Sequence, residues 1–295
     1  MRIVTRPDFD GVVCAVLLRE AENISEPVKW VEPNDMQMGL VDIREGDIIA
    51  NLPFNEKCTL WFDHHYTNKT DKPFQGAFTI SPSAARIIFE YYGNRWKRDY
   101  RELIKETDRI DSADLSLTEV LHPENNPYLL LSMTITGFSE LDERYWNRLV
   151  DLLGKFPIQS VKCDPEVEKR CADVIEQNRR YKKILQKNTQ IKGRVSITDL
   201  RPFDKTPVGN RFLVYSLFPE TVVNVRIRYQ NDNREKIVVG VGHSIFNRNC
   251  NVNVGAMLSR FNGGGHGGAG SCTFPAGLAE RYIPEIIDIL LRNCE

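Results

Sequence analysis

Apolar residues in the first half of the chain fall into two kinds of run. Met1 to Thr5, Asp47 to Leu52 (DIIANL) and Cys58 to Phe62 (CTLWF) are short blocks bounded by turn residues and lacking polar alternation. That is the pattern of strands buried on both faces. Between the first two lies GVVCAVLLREA, Gly11 to Ala21, whose continuous apolar face predicts a helix starting at Asp10-Gly11. Strand, helix, strand in this order is the rhythm of a parallel sheet.

From Asp164 to about Lys187 the chain turns charged and helical, and Val167, Cys171, Val174, Tyr181 and Ile184 form one narrow apolar stripe. So narrow a stripe suits a connecting helix; an ordinary bundle helix of the first domain is the other reading. Beyond it the pattern switches to strands, over Arg194 to Thr198, Val222 to Tyr229 (VVNVRIRY) and Lys236 to Val241 (KIVVGV), followed by helices over Val252 to Phe261 and Leu278 to Arg292. The expected class is α/β: a parallel-sheet domain over 1–160, a linker helix over 161–190 and a smaller α+β domain over 191–295, with the site in the cleft.

Composition narrows the function classes. Hydrophobic residues make up 41% of the chain and charged residues 27%, the balance of a globular protein rather than a disordered one. With a formal net charge of -1, the overall field attracts no polyanion strongly, so such a ligand has to be held by a local site. The seven cysteines (14, 58, 163, 171, 250, 272, 294) are scattered without a CxxC pair, which fits reduced thiols and a cytoplasmic location. No apolar run approaches the ~18 residues of a spanning helix, and MRIVTRPDFDG begins directly with strand-like sequence; neither a membrane anchor nor a signal peptide is expected.

Polar residues of open α/β sheets collect where strands end. Asp8 and Asp10, Asn51, and Asp63-His64-His65 each follow a strand candidate directly. Two of only five histidines stand side by side in LWFDHHY; imidazole mixed with carboxylate suits a cation such as Mn²⁺, whereas all-oxygen ligation suits Mg²⁺ or Ca²⁺. If the first strand persisted, Asp8 and Asp10 would point to one side. Far along the chain stands FNGGGHGGAGS, 261–271, where five glycines in six positions flank His266. Free N–H groups in such a loop can cradle phosphate oxygens.

Asp63-His64-His65 paired with Gly263-Gly264-Gly265-His266 resembles the DHH phosphoesterase superfamily, which includes exopolyphosphatases, family II pyrophosphatases, single-strand exonucleases, oligoribonucleases and cyclic-dinucleotide phosphodiesterases. The resemblance spans nearly the whole chain, with a DHH domain followed by a DHHA1 substrate-binding domain. It implies hydrolysis of a phosphoester or phosphoanhydride at one or two Mn²⁺ ions, Mg²⁺ being the alternative. Asp8, Asp10, Asn51 and His64 then fall at metal-binding positions, His65 faces substrate phosphate or orients the site, and Asp63 buttresses both imidazoles. A late metal carboxylate comes from ETDRIDSAD, with Asp108 preferred, Asp111 second and Asp114 also in range. Gly263, Gly264, Gly265 and His266 would bind substrate with Asn247 and Arg248; His243, Arg226 and Arg228 lie nearby in sequence, and a solvated sheet face is the equal alternative for Arg226.

Two positions depart from the family pattern. Val4 stands where many members have a histidine, and Asn51 where an aspartate usually bridges two metals; an amide carbonyl brings no charge and bridges poorly. The resemblance therefore implies a phosphohydrolase acting on a short oligonucleotide, dinucleotide or polyphosphate, with short single-stranded nucleic acid and a homodimer among the open partners. The contrasting reading is a protein of the same fold with a weakened metal centre that binds a nucleotide or other phosphate ligand as sensor or scaffold.

Overall fold

Ile3, Val4, Ile48, Ile49, Ala50, Trp61 and Phe62 are all fully buried, as consecutive apolar residues must be in strands covered on both faces. The computed structural model describes residues 1–136 and 139–293; Cys294 lies outside them. The chain divides into two units, Met1–Leu115 with Pro123–Ala172, and Ser116–His122 with the chain from Asp173 onward.

The first unit is built on β1 (Arg2–Thr5), α1 (Phe9–Ala21), β2 (Lys29–Trp30), α2 (Pro33–Gln37), β3 (Asp47–Ala50), β4 (Leu60–Asp63) and β5 (Gly76–Phe78), followed by α3 (Ala84–Tyr92) and α4 (Arg101–Asp111). After α5 (Leu117–Leu121), which groups with the second unit, come α6 (Pro127–Ser132), α7 (Glu140–Lys155) and α8 (Ile158–Lys162). The five strands form one parallel sheet in the order β2-β1-β3-β4-β5. The mixed α/β class expected from the periodicity is what the structure has. Helix α1 starts earlier than the sequence suggests, because Asp8 rather than Asp10 is its N-cap and its carboxylate accepts the Gly11 N–H at 2.8 Å.

Helix α9 (Pro165–Asn188) belongs to the first unit up to Ala172 and to the second from Asp173. The second unit continues with β6 (Thr189–Lys192), β7 (Val195–Asp199), α10 (Leu213–Leu217), β8 (Val223–Tyr229), β9 (Lys236–His243), α11 (Val254–Ser259), β10 (Gly263–Gly265), β11 (Ala269–Pro275) and α12 (Ala279–Asn293). Its sheet runs β10-β11-β9-β8-β7-β6, with only β7 and β8 parallel. Alternate residues Val223, Val225 and Ile227 of β8 and Ile237, Val239 and Val241 of β9 join Met257, Leu258, Ile286 and Leu290 in one core. The opposite sheet face is left to Asn224, Arg226 and Arg228.

Candidate metal centre

Thr5 pairs with Ala50, and Ala50 with Phe62, so the segments that leave β1, β3 and β4 begin side by side at the carboxyl edge of the sheet. Asp8 and Asp10 lie beyond the end of β1, and the strand geometry that would point them to one side does not extend to them. Asp8 caps α1, while Asp10 sits in its first turn and is 1% exposed. The Asp10 carboxylate accepts the Ala84 N–H at 2.9 Å and the Ala85 N–H at 2.8 Å. These amides belong to the first turn of α3, whose positive end steadies a carboxylate there.

His64 carries the most informative contact. Its Nδ1 lies 2.9 Å from the Ser81 carbonyl oxygen; a carbonyl only accepts, so Nδ1 bears the hydrogen and Nε2 in the neutral ring presents a lone pair. That Nε2 is buried without a hydrogen-bond partner, 3.4 Å from Asp111 Oδ2 and 3.9 Å from Asp10 Oδ2. Three acceptors facing one another repel unless positive charge stands between them. Donors about 2.0–2.2 Å from a cation stand no more than roughly 4.4 Å apart, and both distances from His64 Nε2 to the carboxylates lie inside that limit. Asp10, His64 and Asp111 are one of two groups among the described residues whose donor atoms lie within 4.8 Å of one another.

The other group is Asp63, His64 and His65, but Asp63 is already engaged. Fully buried, it accepts the His64 N–H at 2.9 Å and the His65 Nδ1–H at 2.8 Å on Oδ1, and the Asn68 amide at 2.6 Å on Oδ2. It anchors the loop. The Asp63 carboxylate favours the imidazolium and raises the His65 pKa against the opposing effect of burial. Asp10 and Asp111 are both pushed well above the ordinary carboxylate range, first by burial and then by the negative charge of neighbouring carboxylates. Burial also raises Asp8, opposed by Arg6 and by the Gly11 N–H.

Of the three late carboxylates, the structure brings Asp111 and not Asp108 to His64. Asp108 accepts the Ser83 hydroxyl at 2.6 Å and the Arg86 Nε–H at 2.9 Å, binding α4 to the start of α3. Asp114 is exposed. Asn51, at φ +56°, donates its amide to Asp8 Oδ1 at 2.9 Å, and its Oδ1 is buried without a partner. Val4 is held in an apolar cluster with Ile49, Leu52 and Trp61, with no donor to offer. Sequence reading missed Arg6, whose Nε lies 3.3 Å from Asp8 Oδ2, and the α3 amides; the Ser83 cap ahead of AARIIFE was the available signal for the latter.

In the second unit, the glycine-rich segment forms a pinned hairpin. Gly263, Gly264 and Gly265 pair with Cys272, Ser271 and Gly270. The His266 N–H donates to the Ala269 carbonyl at 2.7 Å, while the Gly255 and His243 N–H groups donate to the His266 and Gly268 carbonyls at 2.9 and 2.8 Å. Gly265 has φ +147°, and a Cβ there would stand 2.3 Å from the Ala269 oxygen; the position requires glycine. The His266 side chain is exposed. Arg248 is exposed, its Nε donating to the Ile245 carbonyl at 3.1 Å, whereas Asn247 accepts from Asn249 at 2.8 Å. Burial and the neighbouring charge of Arg226 both lower the Arg228 pKa, as an anion at that face would reverse. His243 sits at the end of β9 with Nε2 3.0 Å from the Val252 carbonyl oxygen.

No protein-family model matches the sequence, and no curated protein does either. Among solved structures, the chain is similar to PggH, a pGpG-specific phosphodiesterase from Vibrio cholerae, with 30% identity, 99% of each chain covered and a TM-score of 0.87. An exopolyphosphatase-related protein from Bacteroides fragilis shares the fold at 11% identity and a TM-score of 0.55, over 99% of this chain and 91% of that one. RecJ from Thermus thermophilus, solved with Mn²⁺, shares it at 13% identity and 0.57, over 99% of this chain and 52% of that one. The chain belongs to the DHH phosphoesterase superfamily. As such it is a phosphohydrolase, with acidic and imidazole groups arranged to take a cation. No helix among the described residues is long and apolar enough to cross a membrane.

Proposed function

We propose that this chain is a Mn²⁺-dependent phosphodiesterase that hydrolyses a short linear dinucleotide, the class of substrate for which its Vibrio relative is named. The observation that carries the reading is the bare, buried His64 Nε2 facing Asp10 and Asp111. A divalent cation held there supplies charge neutralisation at the phosphoryl group and acidifies water. Asp10, fixed by two α3 amides, and His64, fixed by Ser81, are pre-set in position. His65, oriented by Asp63 and with a 32% exposed side chain, presents Nε2 to the substrate phosphate, and the Asp63 pairing favours the protonated ring that donates there. In the second unit, His266 and Arg248 serve phosphate recognition, Arg248 through its guanidinium.

A panel of pGpG, pApA, cyclic di-GMP, tripolyphosphate and a chromogenic phosphodiester, assayed with Mn²⁺, tests the proposal. Cleavage of a linear dinucleotide to mononucleotides is expected; a Mn²⁺-loaded protein that turns over none of them refutes it. Asn51 favours a second reading, a phosphate-ligand sensor with a weakened metal centre, for which the panel would show saturable binding without turnover.

A further inference from the structure

The carboxyl edge of the first sheet holds a cation-ready group at Asp10, His64 and Asp111. Beside it Asp8 is occupied differently. Its Oδ1 accepts both the Gly11 N–H at 2.8 Å and the Asn51 amide at 2.9 Å, and its Oδ2 faces the Arg6 guanidinium at 3.3 Å. A carboxylate whose lone pairs are directed at two N–H groups and a guanidinium has little left for a metal ion. The guanidinium itself repels a second cation placed nearby. Val4, immediately upstream in β1, is core and cannot compensate.

We propose that Arg6 takes the place of a second metal ion, so that the centre works with one divalent cation at Asp10, His64 and Asp111 and a fixed guanidinium on Asp8. The inference rests on the phosphodiesterase reading for its purpose, since positive charge on two sides of a phosphoryl group is what the reaction requires. Arg6 is suited to it. Its side chain is 39% exposed; Asp8 is its ion-pair partner, met through Nε, and the half-buried Glu32 is a second carboxylate whose charge it offsets. No side-chain hydrogen bond of the described residues engages its terminal nitrogens, and a guanidinium can offer a non-bridging phosphate oxygen pair the parallel donors that an ammonium does not. Asn51 fits the same design. An aspartate there would add a charge beside Asp8, whereas the amide ties Asp8 down through a neutral donor and leaves one guanidinium sufficient.

The test is the number and affinity of Mn²⁺ ions bound to the full chain, by calorimetry and by metal analysis after gel filtration. The wild type should bind one ion per chain. Arg6→Gln should still bind one, at least threefold more tightly because the repelling charge is gone, and the folded Arg6→Gln/Asn51→Asp double variant should bind two. Two tight ions on the wild type, or an Arg6→Gln affinity that is unchanged or lower, overturns the proposal; so does a double variant with wild-type circular dichroism and a single ion. Arg6→Gln carries the decision if the double variant does not fold. On the dinucleotide substrate, Arg6→Gln should lose about 100-fold in kcat/KM, with Arg6→Lys recovering about tenfold of it. A wild type inactive on every substrate defeats the phosphodiesterase reading, while the ion count still decides the place of Arg6.

Discussion

Replacing Asp111 by Asn should change metal binding and metal-free stability in opposite directions. Asp111 Oδ2 stands 3.4 Å from the bare His64 Nε2 and is one of three donors in the cluster. Loss of an outer partner of a metal ligand typically costs 10–100-fold in affinity, so loss of a direct donor should exceed 100-fold, or about 2.7 kcal/mol. Without metal, the same carboxylate is a liability, because burial and the charges of Asp10 and Asp8 disfavour its ionised form. Its side chain is 27% exposed, so solvent discounts the gain from neutralising it to about 1–2 kcal/mol. That corresponds to roughly 2–4 °C in Tm per kcal/mol for a domain of this size. Asp108→Asn should do the reverse: unpairing Ser83 and Arg86 should cost about 1.5–3 kcal/mol and leave Mn²⁺ affinity within threefold. Calorimetry with Mn²⁺ at pH 7.5 and thermal melts in EDTA at pH 8 measure both. An Asp111→Asn protein with wild-type Mn²⁺ affinity, beside an Asp108→Asn protein that has lost it, would refute the placement of the cation.

The raised pKa values of Asp10 and Asp111 fix the sign of a pH effect: between the ordinary carboxylate range and neutrality the folded state holds protons that the unfolded state has released, so metal-free stability falls as pH rises through that window. Mn²⁺ replaces those protons, so its Tm increment should grow from pH 5.5 to pH 7.5, and a constant increment would count against these ligands. His266→Ala should lower kcat/KM by on the order of 100-fold with Mn²⁺ affinity unchanged, as kinetics and calorimetry on one sample would show. Gly265→Ala places a Cβ 2.3 Å from the Ala269 oxygen at φ +147° and should destabilise the protein by about 1–3 kcal/mol; wild-type denaturant midpoints would show that the hairpin can yield.

How much of this the sequence discloses depends on the range of the forces involved. Buried strands and α1 are written in local runs of apolar residues, and the Asp63-His64-His65 segment follows directly from where a run ends. The late ligand is not written locally. Asp108 and Asp111 are three residues apart on α4 and share a face; which one is left to face His64 is settled by Arg86, which arrives from 22 residues away to claim Asp108. Arg6 is hidden for a different reason: it is local to Asp8, but RPDFDG does not say that the guanidinium folds back on that carboxylate. The three-residue β10 escapes periodicity because glycine carries no pattern, and its pairing with β11 defines it; β11 does alternate, with Cys272 and Phe274 buried, but only over its second half.

The paired histidines show why two imidazoles serve better than one. Their rings are 4.1 Å apart, yet each Nδ1–H meets a different acceptor. His64 donates to the neutral Ser81 carbonyl, which fixes the ring's orientation and turns Nε2 toward Asp10 and Asp111. His65 donates to the Asp63 carboxylate, which fixes that ring's orientation but also stabilises the imidazolium. Under the proposed function, one ring serves as a ligand and its neighbour as a proton donor. Exchanging the two acceptors would place the protonated ring against Asp10 and Asp111, where a proton would take the place of the metal ion, and leave the neutral ring at the exposed edge. The order of the residues after β4 is therefore part of the chemistry: Asp63, as the last residue of the strand, can turn back on His65 two positions along, while His64 is directed inward to the carboxylates.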